Sequence, residues 1–434
     1  MAEPRFRAPR GTRDILSPES DRRRALVGVF ADVVGRAGYS EISTPLFEDI
    51  GVFQRIGEAT DVVTKEMYDF HDKGDPPQHL ALRPELTAAI CRAYTEHRPT
   101  VPWKVWCEGP QFRYEKPQAG RYRQFAQVDL EVIGTDDPHA DVEVIALAHQ
   151  FYEALGLTRF RLLVNSLGDP ESRPGYMAAL LEYLELHRAD LSEQSRETLE
   201  RNPLRVLDSK RPEDEPVIAG APVMVDHLSG EAAEHFEQIR QGLDVLGIDF
   251  EVSPRLVRGL DYYTRTTFEF ASDALEGAQN AIGGGGRYDR LVEDLGGPPT
   301  PGIGFALGVD RILLACDAED VFPARPGTVD AFVVDVTGGA AAVSLCDDLR
   351  RVGVSVDRAF GGRSMKAQMK VADRSGARFA VIVGPDEESA GTVTLRDLRG
   401  ADGGGQREIR RDELASELVR ELGADQSTDD IHRG

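Results

Sequence analysis

The chain is poor in cysteine and lysine and has no long apolar run. Its four cysteines, Cys91, Cys107, Cys316 and Cys346, lie far apart with no CxxC pair, so neither a disulfide framework nor a zinc site is indicated. The histidines also lack metal-ligand spacing. No apolar stretch approaches the ~20 residues that span a bilayer, and no charged-then-apolar leader opens the sequence. These absences predict a cytoplasmic protein with no membrane partner. Arginine greatly outnumbers lysine, and 74 acidic against 51 basic side chains give a formal net charge of −23, spread along the chain. Such an excess repels polyanions at long range and by itself argues against a nucleic-acid partner. Two readings stay open. The partners are cations or neutral molecules, or the surface is adapted to concentrated salt, where repulsion is screened within about 3 Å at molar ionic strength. Lysine scarcity favours the second.

What is present is an ordinary globular composition over 434 residues, enough for two or three domains with separate cores. Arg22 to Ala37 has apolar residues at Ala25, Leu26, Val29, Phe30, Val33 and Val34, the spacing of an amphipathic helix. Tyr39 to Phe47 alternates like a strand, and Pro45 within it predicts an edge or an interface. From Val105 to Gly134 the pattern is strand, polar loop, strand. The second arm sets Phe125, Gln127, Asp129 and Glu131 on one face and Ala126, Val128, Leu130 and Val132 on the other; the polar face could simply meet solvent. Helical periodicity dominates from about 169 to 247 and reads as an insertion, since strand-like sequence resumes on both sides. GIGFALGVDRILLAC, from Gly302, reads as a short glycine-rich segment entering a helix; its glycines do not fall as GxGxxG. Past Pro323, Pro326 and Gly327, strands alternate with helices, including one from Ser364 to Gly376 with Met365, Met369 and Ala372 inward, which predicts a separate α/β domain. The final ADQSTDDIHRG is polar and expected to fray.

Four polar constellations fall at element edges. In FRYEKPQAGRYRQF, Arg113 ends one strand and Arg121 and Arg123 begin the next, so three guanidiniums are expected to converge over one sheet; arginine suits phosphate because its planar fork bonds bidentately. Asp310 and Arg311 open the glycine-entered helix. RGLDYY, Arg258 to Tyr263, sits at the mouth of a strand, where it is either an ion-paired turn or part of a site. In AIGGGGRYDRL, Gly283 to Gly286 either let backbone approach a ligand closely or make a tight strand turn.

Taken together these segments resemble the histidyl-tRNA synthetase family of class II aminoacyl-tRNA synthetases over nearly the whole chain. STPLFED (Ser43 to Asp49) resembles motif 1, which lies at the dimer interface in that family. FRYEKPQAGRYRQFAQVDLEVIG resembles motif 2, and GIGFALGVDRI motif 3. RGLDYY and AIGGGGRYD are similar to the two peptides peculiar to the histidyl enzymes, and LRPELTAAI (Leu82 to Ile90) adds a further match. Their occurrence together in the right order is far more specific than any one of them.

The resemblance implies an α+β fold: a class II antiparallel-sheet catalytic domain over 1–325 with a helical insertion at about 169–247, an anticodon-binding α/β domain over 326–424, and a flexible tail over 425–434. It implies activation of L-histidine by ATP with Mg²⁺, transfer to tRNA(His), and a homodimer. By similarity, Arg113 would grip the α-phosphate and the carboxylate, with Arg258 as an additional cation there. Glu115 would bond the adenine amino group, Phe125 would stack on adenine, and Arg121 and Arg311 would hold the outer phosphates. Glu85, Thr87, Gln127, Glu131 and Tyr263 would bind histidine, and Gln118 in the motif 2 loop would contact the acceptor end. In the terminal domain, a basic excess between Arg350 and Arg378, including Arg358, Arg363, Lys366 and Lys370, offers a docking surface for phosphates. Leu86 stands where a small residue is expected after Glu85, and the four-glycine run before Arg287 is a second departure. Two other readings share the fold: a regulatory subunit of ATP phosphoribosyltransferase and an uncharged-tRNA sensor. The terminal domain and the complete set Arg113, Arg121, Arg258 and Arg311 weigh against both.

Overall fold

The computed structural model describes residues 6–55, 65–256, 262–275, 280–324, 329–399 and 405–431. Over these the chain divides into two compact units, Met1–Ile15 with Arg22–Pro323, and Leu16–Asp21 with Ala324–Gly434.

In the first unit, Leu26, Phe30, Val33 and Val34, spaced three and four apart, form the buried stripe of helix α1 (Glu19–Arg36), whereas Ala25 is exposed. The strand expected from Tyr39 to Phe47 breaks in two. Strand β1 (Ser40–Glu41) joins the edge of a large sheet and β2 (Phe47–Asp49) the edge of a small one, because Pro45 between them has no amide with which to continue a ladder. The small antiparallel sheet is completed by β3 (Tyr68–His71) and β4 (His79–Leu82), and helix α2 (Thr87–His97) follows.

The large sheet adds β5 (Trp103–Phe112), β6 (Gln124–Ile133), β7 (Phe160–Ser166), β8 (Phe250–Val252), β9 (Thr264–Ser272), β10 (Ala281–Arg287) and β11 (Gly302–Gly308) in the order β1-β5-β6-β11-β10-β9-β7-β8. Only its outer pairs, β1 with β5 and β7 with β8, are parallel. Helix α3 (Pro138–Ala154) follows β6; α4 (Ser172–Leu186), α5 (Glu193–Arg201) and α6 (Gly230–Leu246) lie between β7 and β8; α7 (Val309–Ala318) follows β11. Both glycine segments are therefore strand. Gly283 to Gly286 lie inside β10 rather than in a turn, and the expected glycine-rich helix entrance at 302–308 is β11.

One face of the sheet carries the main core, where Val128, Leu130, Val132, Phe268, Phe270 and Phe305 pack under α1, α3, α6 and α7. On the other face α2 contributes Ala88, Ile90, Cys91 and Tyr94 to a second cluster with Val105, Cys107, Tyr262, Tyr263 and Tyr288. The polar face of β6 is thus roofed, not solvated. The expected insertion also splits. Tyr176, Leu180, Leu184, Leu199 and Val217 build a small core of their own, but Phe236, Ile239 and Leu243 of α6 join the main core.

The second unit is a five-stranded sheet, β12 (Ala331–Asp335), β13 (Val356–Arg358), β14 (Phe379–Val383), β15 (Thr392–Asp397) and β16 (Gln406–Arg410), in the order β13-β12-β14-β15-β16. Helices α8 (Ala340–Arg351) and α9 (Met365–Arg374) make the crossovers between the parallel strands β12, β13 and β14. Helix α9 buries Gln368 and Ala372, while Met365, expected inward, is exposed. The polar Gln368 is accommodated because its amide donates to the carbonyls of Asp335 (2.6 Å) and Arg363 (2.7 Å). Helix α10 (Leu414–Ile431) carries the backbone through most of the stretch expected to fray.

Candidate active site

The hairpin β5–β6 brings Arg113 and Arg121 to one end of the sheet, and β11 delivers Arg311 to the same end at the start of α7. A cavity of about 230 Å³ there is lined by Arg113, Glu115, Arg121, Phe125, Gln127 and Arg311. The Arg113 Nε donates to the Pro84 carbonyl at 2.8 Å, and its guanidinium lies 5.3 Å from the centre of the Phe125 ring. Arg121 pairs with Glu115 at 3.3 Å. The Arg311 Nε is held by the Ala281 carbonyl at 2.7 Å. Desolvation, and then the neighbouring Arg121 charge, push the Arg311 guanidinium below its ordinary value, so an anion placed between these two cations would relieve both penalties. Arg123 does not join them. It stacks 3.7 Å over Tyr114 and donates to the Glu115 carbonyl at 3.2 Å. Asp310 is ion-paired with Arg13 and Arg23. Gln118 is exposed at the tip of the hairpin loop, in a turn closed by backbone bonds with Arg121.

Deeper along β6 the site becomes acidic. Glu131 is fully buried and accepts hydrogen bonds from Thr87 Oγ1 (2.6 Å) and the Tyr288 hydroxyl. Burial pushes its carboxyl up to about 8, even though both bonds oppose the shift. Room for it depends on a glycine opposite: a Cβ at Gly304 would overlap the carboxylate, and a Cβ at Gly285 would overlap the Gly304 carbonyl. Glu85 caps the start of α2 by accepting from the Ala88 amide at 2.9 Å, and the Tyr262 hydroxyl stands 3.4 Å from its other oxygen. Burial raises the Glu85 pKa too. Tyr263 is buried with its ring 4.7 Å from that of Tyr262. Leu86 is fully buried in the apolar cluster that holds both tyrosines. Arg258 and Asp261 lie outside the described residues.

The structure thus brings Arg113, Glu115, Arg121, Phe125 and Arg311 to one cavity, joins Glu131 to Thr87, and places Gln127 between the two groups. It adds Tyr262, Tyr288, Asp129 and Arg83, none of which sequence reasoning assigned to the site. Arg83 is 2% exposed and donates to Thr44 O (3.0 Å), Thr44 Oγ1 (2.9 Å) and Pro110 O (3.1 Å), tying the segment before β2 to β5. The signal for Tyr288 was its place two residues after the glycine run. That for Asp129 was its position between Gln127 and Glu131 on one face.

In the second unit the basic run is less one-sided than its sequence. Arg350 donates to the Val356 carbonyl at 2.8 Å, Arg351 pairs with Asp347, and Arg378 lies 4.0 Å from Asp397. Lys366, Lys370 and Arg374, four apart, remain as an exposed stripe along α9, with the exposed Arg363 just before its start. Arg358 stacks 4.4 Å over the exposed Phe360 ring.

The largely antiparallel sheet, with its hairpin arginines and its strand-to-helix arginine meeting over one cavity, is the catalytic fold of class II aminoacyl-tRNA synthetases. A family model described as histidyl-tRNA synthetase matches residues 11–312, and one described as an anticodon binding domain matches residues 330–421. The chain is 50% identical to the histidine–tRNA ligase of Saccharopolyspora erythraea, over 96% of this chain and 98% of that protein. It is 49% identical to that of Nocardia farcinica, over 96% and 99%. The crystal structure of apo S. aureus histidyl-tRNA synthetase matches with a TM-score of 0.80 at 36% identity, covering 95% of this chain and 100% of that one. The chain belongs to the histidyl-tRNA synthetase family.

Proposed function

We infer that the chain is a histidine–tRNA ligase. It joins the histidine carboxylate to the α-phosphorus of ATP, breaking the bond to pyrophosphate, and then passes the histidyl group to the terminal adenosine of tRNA(His) with release of AMP. The observation that carries this reading is the convergence of Arg113, Arg121 and Arg311 on one cavity beside a row of buried acceptors. Catalysis of this kind is alignment and stabilisation of charge at phosphorus. Arg113, fixed by the Pro84 carbonyl, is assigned to the α-phosphate and the carboxylate; Arg258 is assigned beside it. Arg121 and Arg311 take the outer phosphates. Phe125 stacks on adenine, and Glu115 accepts from its amino group. Glu85, Thr87, Gln127, Glu131 and Tyr263 form the histidine pocket. A ring that lacks the matching N–H groups would leave buried partners unpaired, which supports rejection by ~10⁴-fold without editing.

Magnesium neutralises charge on the phosphates and normally keeps several waters, with one or two carboxylates and phosphate oxygens as its other ligands. At the cavity the carboxylates are Glu115 and Asp310, each paired with arginine, so the residues fit an ion carried mainly by the nucleotide. A homodimer through the segment 43–49 is supported by the exposed apolar side chains Leu46, Phe47 and Phe70 on the small sheet. The four free, buried cysteines suit the cytoplasm, and among the described residues no helix is long and apolar enough to cross a membrane. Gln118 is assigned to the tRNA acceptor end, and Arg358, Arg363, Lys366 and Lys370 to the anticodon region. Histidine-dependent ATP–pyrophosphate exchange tests the whole reading, and its absence would favour a regulatory subunit or a tRNA sensor instead.

A further inference from the structure

Residues 9–13 lie against two walls of the nucleotide cavity at once. Thr12 folds back on Pro9, its amide and its hydroxyl donating to the Pro9 carbonyl at 3.0 and 2.8 Å. Gly11 makes the turn at φ +84°, where a Cβ would come within 2.7 Å of the Arg123 side chain and 3.0 Å of Pro117. The Gly11 carbonyl accepts from the Arg123 amide at 2.7 Å, which ties the segment to the hairpin just before β6. Arg13 then reaches both walls. Its guanidinium lies 4.8 Å from the centre of the Tyr122 ring, next to Arg121 in the chain, and Nη2 donates at 3.1 Å to Asp310, one residue before Arg311. The same Asp310 oxygen is paired with Arg23 of α1. Tyr122 and Asp310 both line the cavity with Arg121 and Arg311.

We propose that Arg13 is a positioning residue for the outer phosphates of ATP: it offsets the Asp310 charge beside them and braces Tyr122 next to Arg121. This rests on the ligase reading above and extends it to a segment outside the hairpin and the strand-to-helix turn. The Asp310 side chain is 6% exposed and lines the cavity, so an uncompensated carboxylate there would oppose a polyphosphate with little screening from water. Two guanidiniums against one carboxylate leave the trio one net positive charge, the sign that a phosphate requires. The two pairs differ in what else they reach. Arg23 is 12% exposed and comes from α1, whereas Arg13 is 34% exposed and bridges the hairpin to the start of α7, the two elements that carry Arg121 and Arg311. Those elements meet closely at Gly120, where a Cβ would fall 2.7 Å from Leu314 of α7. A hairpin that loses its brace at Tyr122 therefore shifts Arg121 relative to Arg311, and the pair no longer matches the spacing of the phosphates.

The test uses the full-length enzyme in ATP–pyrophosphate exchange, with the KM values for ATP and for histidine measured separately. Arg13→Met keeps the reach of the side chain but leaves the trio with no net charge; it is expected to raise the ATP KM by at least about fivefold and to change the histidine KM by less than about twofold. Arg13→Lys keeps the charge and should recover most of that loss. Adding Asp310→Asn to Arg13→Met restores one net positive charge and should bring the ATP KM back to within about threefold of wild type. Arg13→Gln takes the place of the methionine variant if thermal melting shows that the latter does not fold. An unchanged ATP KM, an equal rise in both KM values, or a double variant no better than the single one would overturn the proposal while leaving the ligase reading intact. A wild-type protein with no histidine-dependent exchange would overturn both.

Discussion

Arg287 and Asp141 have fully buried side chains and form an ion pair inside the first unit. Arg287 also donates to the Thr135 carbonyl at 3.0 Å and lies 3.3 Å from Asp289, while Asp141 accepts from the Thr266 hydroxyl and sits 3.2 Å from His235 Nε2. Asp141→Ala would leave the guanidinium without its main countercharge in a site closed to water. Breaking a buried pair on one side typically destabilises by about 3–5 kcal/mol, a loss of roughly 10²- to 5 × 10³-fold in the folded-to-unfolded ratio. Replacing both partners by apolar residues, Asp141→Leu with Arg287→Met, removes the orphaned charge and should cost far less than the two single changes added together. Urea unfolding read at equal m-values measures Asp141→Ala, the single variants Asp141→Leu and Arg287→Met, and the double variant. Acid should act in the same direction as Asp141→Ala. Burial alone would raise the Asp141 pKa, but the charge of Arg287 and the bonds from His235 and Arg287 outweigh it and hold the carboxyl below its ordinary 3.8. Its stabilisation is therefore complete above about pH 3.8 and is lost as pH falls through the depressed value. A single-variant loss below about 1 kcal/mol, or strictly additive effects in the double variant, would refute the assignment.

Arg258→His is expected to lower the kcat of activation by roughly 10²-fold or more with ATP affinity mostly kept; a change confined to KM would remove Arg258 from the transition state. For Glu131, whose carboxyl is raised from 4.5 to about 8, the folded state without substrate holds a proton that the unfolded chain releases, so this group lowers stability progressively as pH rises from about 4.5 to about 8. Glu131→Gln should flatten that part of the stability profile, and parallel profiles for variant and wild type would contradict the burial argument. Lys366→Ala with Lys370→Ala should weaken aminoacylation of tRNA and make it less dependent on salt, without altering pyrophosphate exchange; an equal fall in both assays would show that these lysines of α9 are structural. If the acidic surface reflects salt adaptation, the protein should melt at higher temperature in molar KCl than in dilute buffer, and unfolding curves insensitive to salt would dismiss the idea.

The sequence displayed the sides of elements well and their depth poorly. Alternation from Phe125 to Val132 assigned every residue of that run to a face, and β6 keeps that assignment with Val128, Leu130 and Val132 in the main core. It could not show that the polar face is covered, because the cover comes from elsewhere in the chain: Thr87 is 44 residues from Glu131, and Tyr288 is 157 away. The same distance hid the roles of Tyr262 and Tyr288. Arg123 was misplaced for a different reason. Three arginines near one loop suggested convergence, but the Tyr114 ring competes for one guanidinium and takes it. The glycine run allowed either a close approach or a turn, and only the partner strands decide, since Gly285 faces the Gly304 carbonyl across the β10–β11 ladder.

Net charge misled most, because it averages over distances that the chemistry does not. A charge of −23 argues against a polyanionic partner only at ranges where the whole surface acts together, and in physiological salt that range ends near 8 Å. Within it, local arrangement decides. Arg121 and Arg311 stand close enough for one to depress the pKa of the other, and Lys366, Lys370 and Arg374 form one exposed stripe with Arg363 just before it. An acidic chain can therefore bind ATP and tRNA if its cations are gathered where phosphates dock and its acids are kept out of range or buried as acceptors. Asp129 and Glu131 are acids of the second kind. Because burial raises both of their pKa values, a cation brought beside them would make their ionisation favourable, so groups that disfavour an empty site would favour one filled by a positively charged ligand.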